Sequence, residues 1–187
     1  MDSNFRSRIA AVVGAVALIA TFFTGAATGT ASAAPSGWKS KGSWSCAGSL
    51  VPDGYVITAH DRTGCQGAGM WYQEPVKDGI WTCSGSPVVA GYVITDHDVR
   101  GCSGVGAWLH ELAHDRQWTC SGSPVPSGKV ITAHDSAGCK GAGSWYQEPI
   151  KNGMWACSGS PIPAGYRNTT FQWNGCNGVG AWLMERV

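Results

Sequence analysis

The sequence predicts an all-β protein of four disulfide-stapled repeats, each about 37 residues long, grouped as two units of about 74 residues. Three observations predict it. The eight cysteines are separated by gaps that alternate between 19 and 18 residues, so two successive gaps make one period of 37. The text between them recurs at that same period, which marks a repeat architecture. Within each period the apolar residues are β-branched or aromatic and lie between Pro, Gly and Asp. No segment carries the 3.6-residue rhythm of a helix.

Taken in order, the chain opens with Arg6 and Arg8, then an apolar run "IAAVVGAVALIATFF" and a small-residue stretch ending "ASAAPSG". That order reads as a secretory signal peptide over residues 1–33, with the cut after Ala33. The apolar run is shorter than the roughly 20 residues a membrane span needs. Residues 34–43 form a short N-terminal extension. Loss of the leader removes two arginines and one aspartate and leaves a formally neutral chain without a basic run. Nucleic-acid binding relies on Lys and Arg to displace counterions, so that class is excluded, and so is insertion as a cationic membrane peptide. The expected location is outside the cell.

The first repeat pair spans residues 44–117 and the second 118–187. Each repeat begins with a short "W-x-C" strand and turns at "SPVPSG" or its variants. It continues through a "YVITAHD" strand, turns again at "D-x-x-G", and ends in a Gly-led aromatic strand such as "GAGSWYQE". Repeats one and three are identical at 25 of 37 positions; they share "WYQEP", while two and four share "GVGAWL". A unit this small buries too little apolar surface to stand alone. The even cysteine count in an exported chain implies disulfides. Pairing within repeats, Cys46–Cys65, Cys83–Cys102, Cys120–Cys139 and Cys157–Cys176, is favoured. Each such loop closure is worth roughly 3 kcal/mol on the chain-entropy account. The shifted scheme, with Cys65–Cys83 as its first member, stays open on spacing alone. The last repeat lacks the "KNGMW"-type tail, and "KGSW" at the mature N-terminus resembles it. That match leaves two outcomes: the N-terminus completes repeat four, or the match is accidental.

"HELAH", His110 to His114, has the spacing of a zinc-protease helix. The sister repeats argue against that reading. Pro75 and Pro149 stand where Leu112 stands, and Pro is incompatible with a helix interior. Extended backbone is therefore expected there, with no metal site. The His-Asp pairs His60-Asp61, His97-Asp98 and His134-Asp135 read as a strand histidine followed by a turn-forming aspartate. Neighbours on a strand point to opposite faces, and no activated nucleophile accompanies them. The "C-x-G-x-G" stretches lack the Lys and the α/β setting of a phosphate loop; their glycines are expected to allow close strand approach. No catalytic residue and no cofactor are expected.

Two tryptophan series remain. Trp44, Trp81, Trp118 and Trp155 are expected to pack on the disulfides as core. Trp71, Trp108, Trp145 and Trp182 stand beside Tyr72 and Tyr146, and beside Glu74, Glu111, Glu148 and Glu185. An aromatic plate next to a carboxylate holds the apolar face of a sugar or peptide and accepts its hydrogen bonds, so these ten residues form the expected ligand-binding set. The recurring Glu is equally open to a structural hydrogen bond.

The leader ending "ASAAP" and the recurring "WTCSGSPVPSG…VITAHD…GC" resemble the small secreted Cys- and Trp-rich repeat proteins of actinomycetes. That resemblance implies a lectin, a protease inhibitor or an adaptor subunit of a secreted complex such as a toxin particle. The expected function is non-enzymatic, lectin-like recognition of a glycan or of a secreted or cell-surface protein. The alternative is an adaptor or inhibitor, the latter offering a protruding loop near Pro52 or Pro126.

Overall fold

The computed structural model describes residues 41–187. The expected signal peptide, residues 1–33, and most of the expected N-terminal extension lie outside the described residues.

Each repeat folds into one three-stranded antiparallel sheet, and the described residues contain four of them. The strands of repeat one are β1 (Ser43–Cys46), β2 (Tyr55–Asp61) and β3 (Met70–Pro75). Repeat two supplies β4 (Ile80–Cys83), β5 (Tyr92–Asp98) and β6 (Ala107–Leu112). Repeat three supplies β7 (Gln117–Cys120), β8 (Lys129–Asp135) and β9 (Ser144–Pro149). Repeat four supplies β10 (Met154–Cys157), β11 (Tyr166–Gln172) and β12 (Ala181–Arg186). In every sheet the last strand is central, flanked by the first and second. The disulfides close within repeats, with Cα separations of 5.6, 5.2, 5.5 and 5.4 Å. The shifted pairing is thereby ruled out.

The second strand of each repeat is bulged. Opposite β3, Ile57 pairs with Gln73 and Ala59 with Tyr72, so Thr58 is the extra residue. Thr95 and Thr132 occupy the same place in β5 and β8. In repeats one to three, two consecutive enclosed residues stand just before the bulge, Val56 (0% exposed) and Ile57 (6%) in repeat one. Val93–Ile94 and Val130–Ile131 repeat the pattern. Consecutive strand residues face opposite ways, so burial of both requires cover on both faces. The following repeat supplies the second cover: β2 lies against β4, β5 against β7 and β8 against β10. At the last of these joints Val130 packs with Ala156 and Met184, fringed by Ile150, Met154 and Tyr166.

Two polar features seal each joint. The "GSP" serine of the next repeat accepts the outward amide of the edge strand: Ile57 N to Ser86 Oγ, Ile94 N to Ser123 Oγ, and Ile131 N to Ser160 Oγ, each 2.9 Å. The second is a tight turn at each repeat's second cysteine, spanning Cys65–Gly67, Gly101–Gly104, Cys139–Gly141 and Cys176–Gly178. Both that cysteine and the residue after it have positive φ; Cys102 lies at 51° and Ser103 at 58°. L-residues seldom hold this conformation unless their surroundings over-determine it. Here the disulfide does so in every repeat, and in repeats two to four the preceding repeat does so as well. Ser103 Oγ donates to His60 O at 3.3 Å, Lys140 Nζ reaches Asp96 Oδ2 at 3.1 Å, and Asn177 Nδ2 donates to His134 O at 2.6 Å.

Alternate repeats differ locally at the end of the central strand. The central strands of repeats two and four end in residues with a free N–H, and an upstream side chain accepts it. Leu112 N donates to Asp78 Oδ1 and Arg186 N to Asn152 Oδ1, both at 2.8 Å. Repeats one and three end in Pro75 and Pro149, which have no N–H to satisfy.

The "KGSW" stretch does not complete repeat four. Ser43–Cys46 pairs with β3 of its own repeat, as Ile80–Cys83 pairs with β6. What looked like a tail is the head of the next sheet. Repeat four is instead finished by its own sequence, because Arg167 stands where Val56, Val93 and Val130 are buried, and it is exposed.

Replacing Ser86, Ser123 or Ser160 by Ala strands a buried amide and should cost about 1–2 kcal/mol each. Replacing Ser49, which has no preceding repeat among the described residues, should cost almost nothing. Urea unfolding of the four variants checks this; equal losses at all four positions would contradict it.

Candidate functional site

Strand alternation divides the expected binding residues between two faces. On the central strands, Trp71 and Gln73 face inward and Tyr72 and Glu74 outward, and the other repeats follow suit. Adjacent Trp71 and Tyr72 therefore do not form one plate, and neither do Trp145 and Tyr146.

The inward series is packing. His60 stacks on Trp71 with ring centroids 4.3 Å apart and planes at 20°, and His97 stacks on Trp108 at 3.9 Å and 17°. His134 lies 4.2 Å from Trp145, and Phe171 lies 4.6 Å from Trp182. These are cross-strand pairs set by the register, His60 opposite Trp71 and so on. Phe171 supplies the same ring area without a titratable group. The aspartates after the histidines form turns: Thr63 N, Arg100 N and Ala137 N donate to Asp61, Asp98 and Asp135. The Thr63 amide, with the Thr63 hydroxyl, holds the Asp61 carboxyl below the usual carboxylate range. Trp71 keeps one edge in a cavity of about 220 Å³ shared with Ser49, Ile57 and Ser84 at the first joint.

The other tryptophan series is the open one, which corrects the core assignment. Trp44, Trp81, Trp118 and Trp155 are 47, 40, 46 and 40% exposed. They point the same way as the outward residues opposite them in the ladder. Trp44 faces Tyr72 with centroids 5.4 Å apart at 57°, and Trp118 faces Tyr146 at 5.4 Å and 52°. Trp81 and Trp155 face Leu109 and Leu183 instead. Their periodic place two residues before a cysteine looked structural. The ladder partner, which a linear reading does not supply, shows which way they point.

The carboxylates complete this outward face. Glu74 Oε1 accepts from the bulge hydroxyl of Thr58 at 2.6 Å, and Glu148 Oε1 from Thr132 at 2.7 Å. The second oxygen of each lies near a cation, Lys77 at 3.7 Å and Arg116 at 3.6 Å. The site of repeat one is thus rebuilt in repeat three from equivalent residues: a tilted Trp–Tyr pair and a fixed, half-buried carboxylate. In repeat two Lys140 Nζ sits 5.8 Å from the centre of the Trp81 ring, and Leu109 replaces tyrosine, so that place differs. Glu111 and Glu185 are half-buried on the corresponding strands.

His110 belongs to neither face of a metal site. It lies in the extended strand β6 and is 1% exposed, at the position held by Gln73, Gln147 and Met184. Its Nε2 meets Thr82 Oγ1 at 3.1 Å, just as Gln147 Nε2 meets Thr119 Oγ1 at 2.9 Å. In repeat four the pair becomes Ala156 and Met184, both apolar. His114 lies beyond the strand end; its amide donates to Gln117 Oε1 and its carbonyl accepts from Lys129 Nζ. The "HELAH" string therefore spans a buried packing residue and a loop. Among the described residues no group of three His, Cys, Asp or Glu is placed to hold a metal. Pro52 and Pro126 wall two clefts of about 290 Å³ between neighbouring turns, so neither tips an isolated loop.

Burial pushes the His110 imidazole down to about 4 from 6.5. Between those values the unfolded chain binds a proton that the folded chain refuses, so stability falls as pH drops through that window. A shift of this size corresponds to a loss of up to about 3 kcal/mol. His110→Gln, which copies the sister repeats, should flatten the stability profile between pH 6.5 and 4 in pH-dependent urea titrations. An unchanged profile would show that His110 is not buried neutral.

No family model, curated protein or solved structure matches this chain.

Proposed function

We propose that this is a secreted, non-catalytic binding protein that takes a neutral glycan on its outward Trp–Tyr–Glu face, in the manner of a lectin. The observation that carries the reading is the exposed pair Trp44–Tyr72 beside Glu74, rebuilt as Trp118–Tyr146 beside Glu148. Two rings inclined at just over 50° make an open wedge. A pyranose presents apolar C–H faces to such rings and hydroxyls to a carboxylate at their edge. The carboxylate is already oriented by the bulge threonine, so little ordering cost remains on binding. Two equivalent wedges per chain favour extended or clustered glycans, where weak sites add through avidity.

Secretion is supported by the four disulfides, which persist in oxidising compartments, and by the leader-like N-terminus. No helix among the described residues is long and apolar enough to cross a membrane. The non-catalytic reading is supported by the histidines: His60, His97 and His134 pack against tryptophan rings, His110 is enclosed beside Thr82 away from solvent, and His114 lies in the loop after β6.

Screening the purified chain on a glycan array, then titrating the best neutral oligosaccharide, tests the proposal. Trp44→Ala and Trp118→Ala should each remove one site, and the double variant should lose tenfold or more in affinity for a multivalent form. Trp71→Ala should instead lower thermal stability. Full binding by a folded double variant, or no glycan bound by the native chain, would sink the reading.

A further inference from the structure

Every joint between repeats has a donating and an accepting half. The donating half is the bulged second strand, with its buried Val, its outward Ile amide and, for the turn, the His60 or His134 carbonyl or the Asp96 carboxylate. The accepting half is the first strand of the next repeat, its "GSP" serine and its cystine turn. Three donating halves, β2, β5 and β8, are filled by the repeats that follow them.

The accepting half of repeat one stands open among the described residues. Cys83, Cys120 and Cys157 are at most 2% exposed beneath a preceding strand, whereas their counterpart Cys46 is exposed. Thr82, Thr119 and Ala156 are at most 1% exposed, but Ser45 is only half-buried. Leu50 is 93% exposed. Two polar atoms on this inner face, Ser45 Oγ and Gln73 Nε2, have no partner, although Gln73 is only 5% exposed. The equivalent Gln147 Nε2 has two partners, Thr119 Oγ1 and Pro124 O.

The opposite end does not match it. In β11 the residues Arg167-Asn168-Thr169-Thr170 replace the Val130-Ile131-Thr132-Ala133 of β8. Stacking a second copy head to tail would bury the Arg167 guanidinium where valine is otherwise enclosed, and charge burial of that kind costs several kcal/mol. The chain is therefore closed to its own kind at one end and open at the other.

We infer that the N-terminal face of repeat one, formed by β1, Ser49 and the Cys65–Gly67 turn, accepts an exposed edge β-strand of another protein. The incoming strand carries a β-branched residue followed by a free backbone amide, as Val56-Ile57 does at the first internal joint. Its amide meets Ser49 Oγ, its apolar side chain covers Ser45 and Cys46, and its next carbonyls face the Gln66 turn. The incoming strand docks on this face through its amide and apolar side chain without a shared backbone ladder, as β2, β5 and β8 dock on the repeats that follow them, so the template is one the chain uses three times within itself.

Two measurements on the whole exported chain test it. A peptide copying residues 91–98, GYVITDHD, titrated into 15N-labelled protein should shift the Ser45, Ser49 and Gln66 amides saturably. The same peptide with Val93→Arg should bind at least tenfold more weakly. In parallel, Arg167→Val with Asn168→Ile and Thr170→Ala restores the donating half at the C-terminal end. That variant should form concentration-dependent head-to-tail oligomers by sedimentation, because a heterologous contact of this kind does not close. Adding Leu50→Asp should return it to a monomer. The inference is overturned if neither peptide shifts the face, if both bind equally, or if the restored variant stays monomeric. It is also overturned if Leu50→Asp leaves the oligomers intact. Peptide binding that appears only in a chain starting at Lys41 would show that the chain's own residues 34–40 fill the face, and would equally overturn it.

Discussion

The structure depends on the closing of one repeat's bulged edge strand by the next repeat. A three-stranded sheet of this size leaves an edge with unpaired amides and an apolar residue on an uncovered face. Here the serine of the following "GSP" turn takes the amide, and its first strand covers the valine. Burying such a valine is worth about 1.5–3 kcal/mol, comparable to what a disulfide loop contributes. The disulfide holds each sheet to its own left-handed turn, and that turn reaches back to grip the preceding strand. Covalent and non-covalent constraints thus act on the same few residues.

Because the buried faces are consumed by these joints, chemistry is left to the outward faces. The inner position of the central strand shows how little the joint asks of it: glutamine, histidine and methionine all serve, with a threonine or alanine of the first strand beside them in repeats two to four. Histidine there creates an accidental metalloprotease string without a metal-binding geometry. Outward positions are different. The Trp–Tyr wedge and its oriented glutamate recur only in alternate repeats, although nothing in the joint requires tyrosine over leucine. That contrast is the ground for proposing the wedge, rather than the joint, as the place where a partner binds.

Much of this was legible in the sequence, for identifiable reasons. A period of 37 residues and β-branched runs announce stapled β repeats, and the expected pairing within repeats is the one found. Pro75 and Pro149 correctly removed the helix from beneath His110 and His114. The aspartates formed the turns expected of them. The errors share one cause: linear neighbours are not spatial neighbours in a sheet. Trp71 and Tyr72 were grouped although alternation separates them, while Trp44, the true companion of Tyr72, was assigned to the core. Reading pairs across the ladder requires the register, and the bulge at Thr58 shifts that register by one residue. The C-terminal cap was written plainly, as "YRNTTFQ" against "YVITAHD", but it acquires meaning only once the valine position is known to be a joint.

Hydrogen exchange of the edge-strand amides tests the joint most directly. Ile57, Ile94 and Ile131 should exchange slowly, each shielded by a serine hydroxyl of the next repeat, and Asn168 should exchange at close to the rate of an exposed strand. Fast exchange at the three isoleucines, or equal protection at Asn168, would contradict the account.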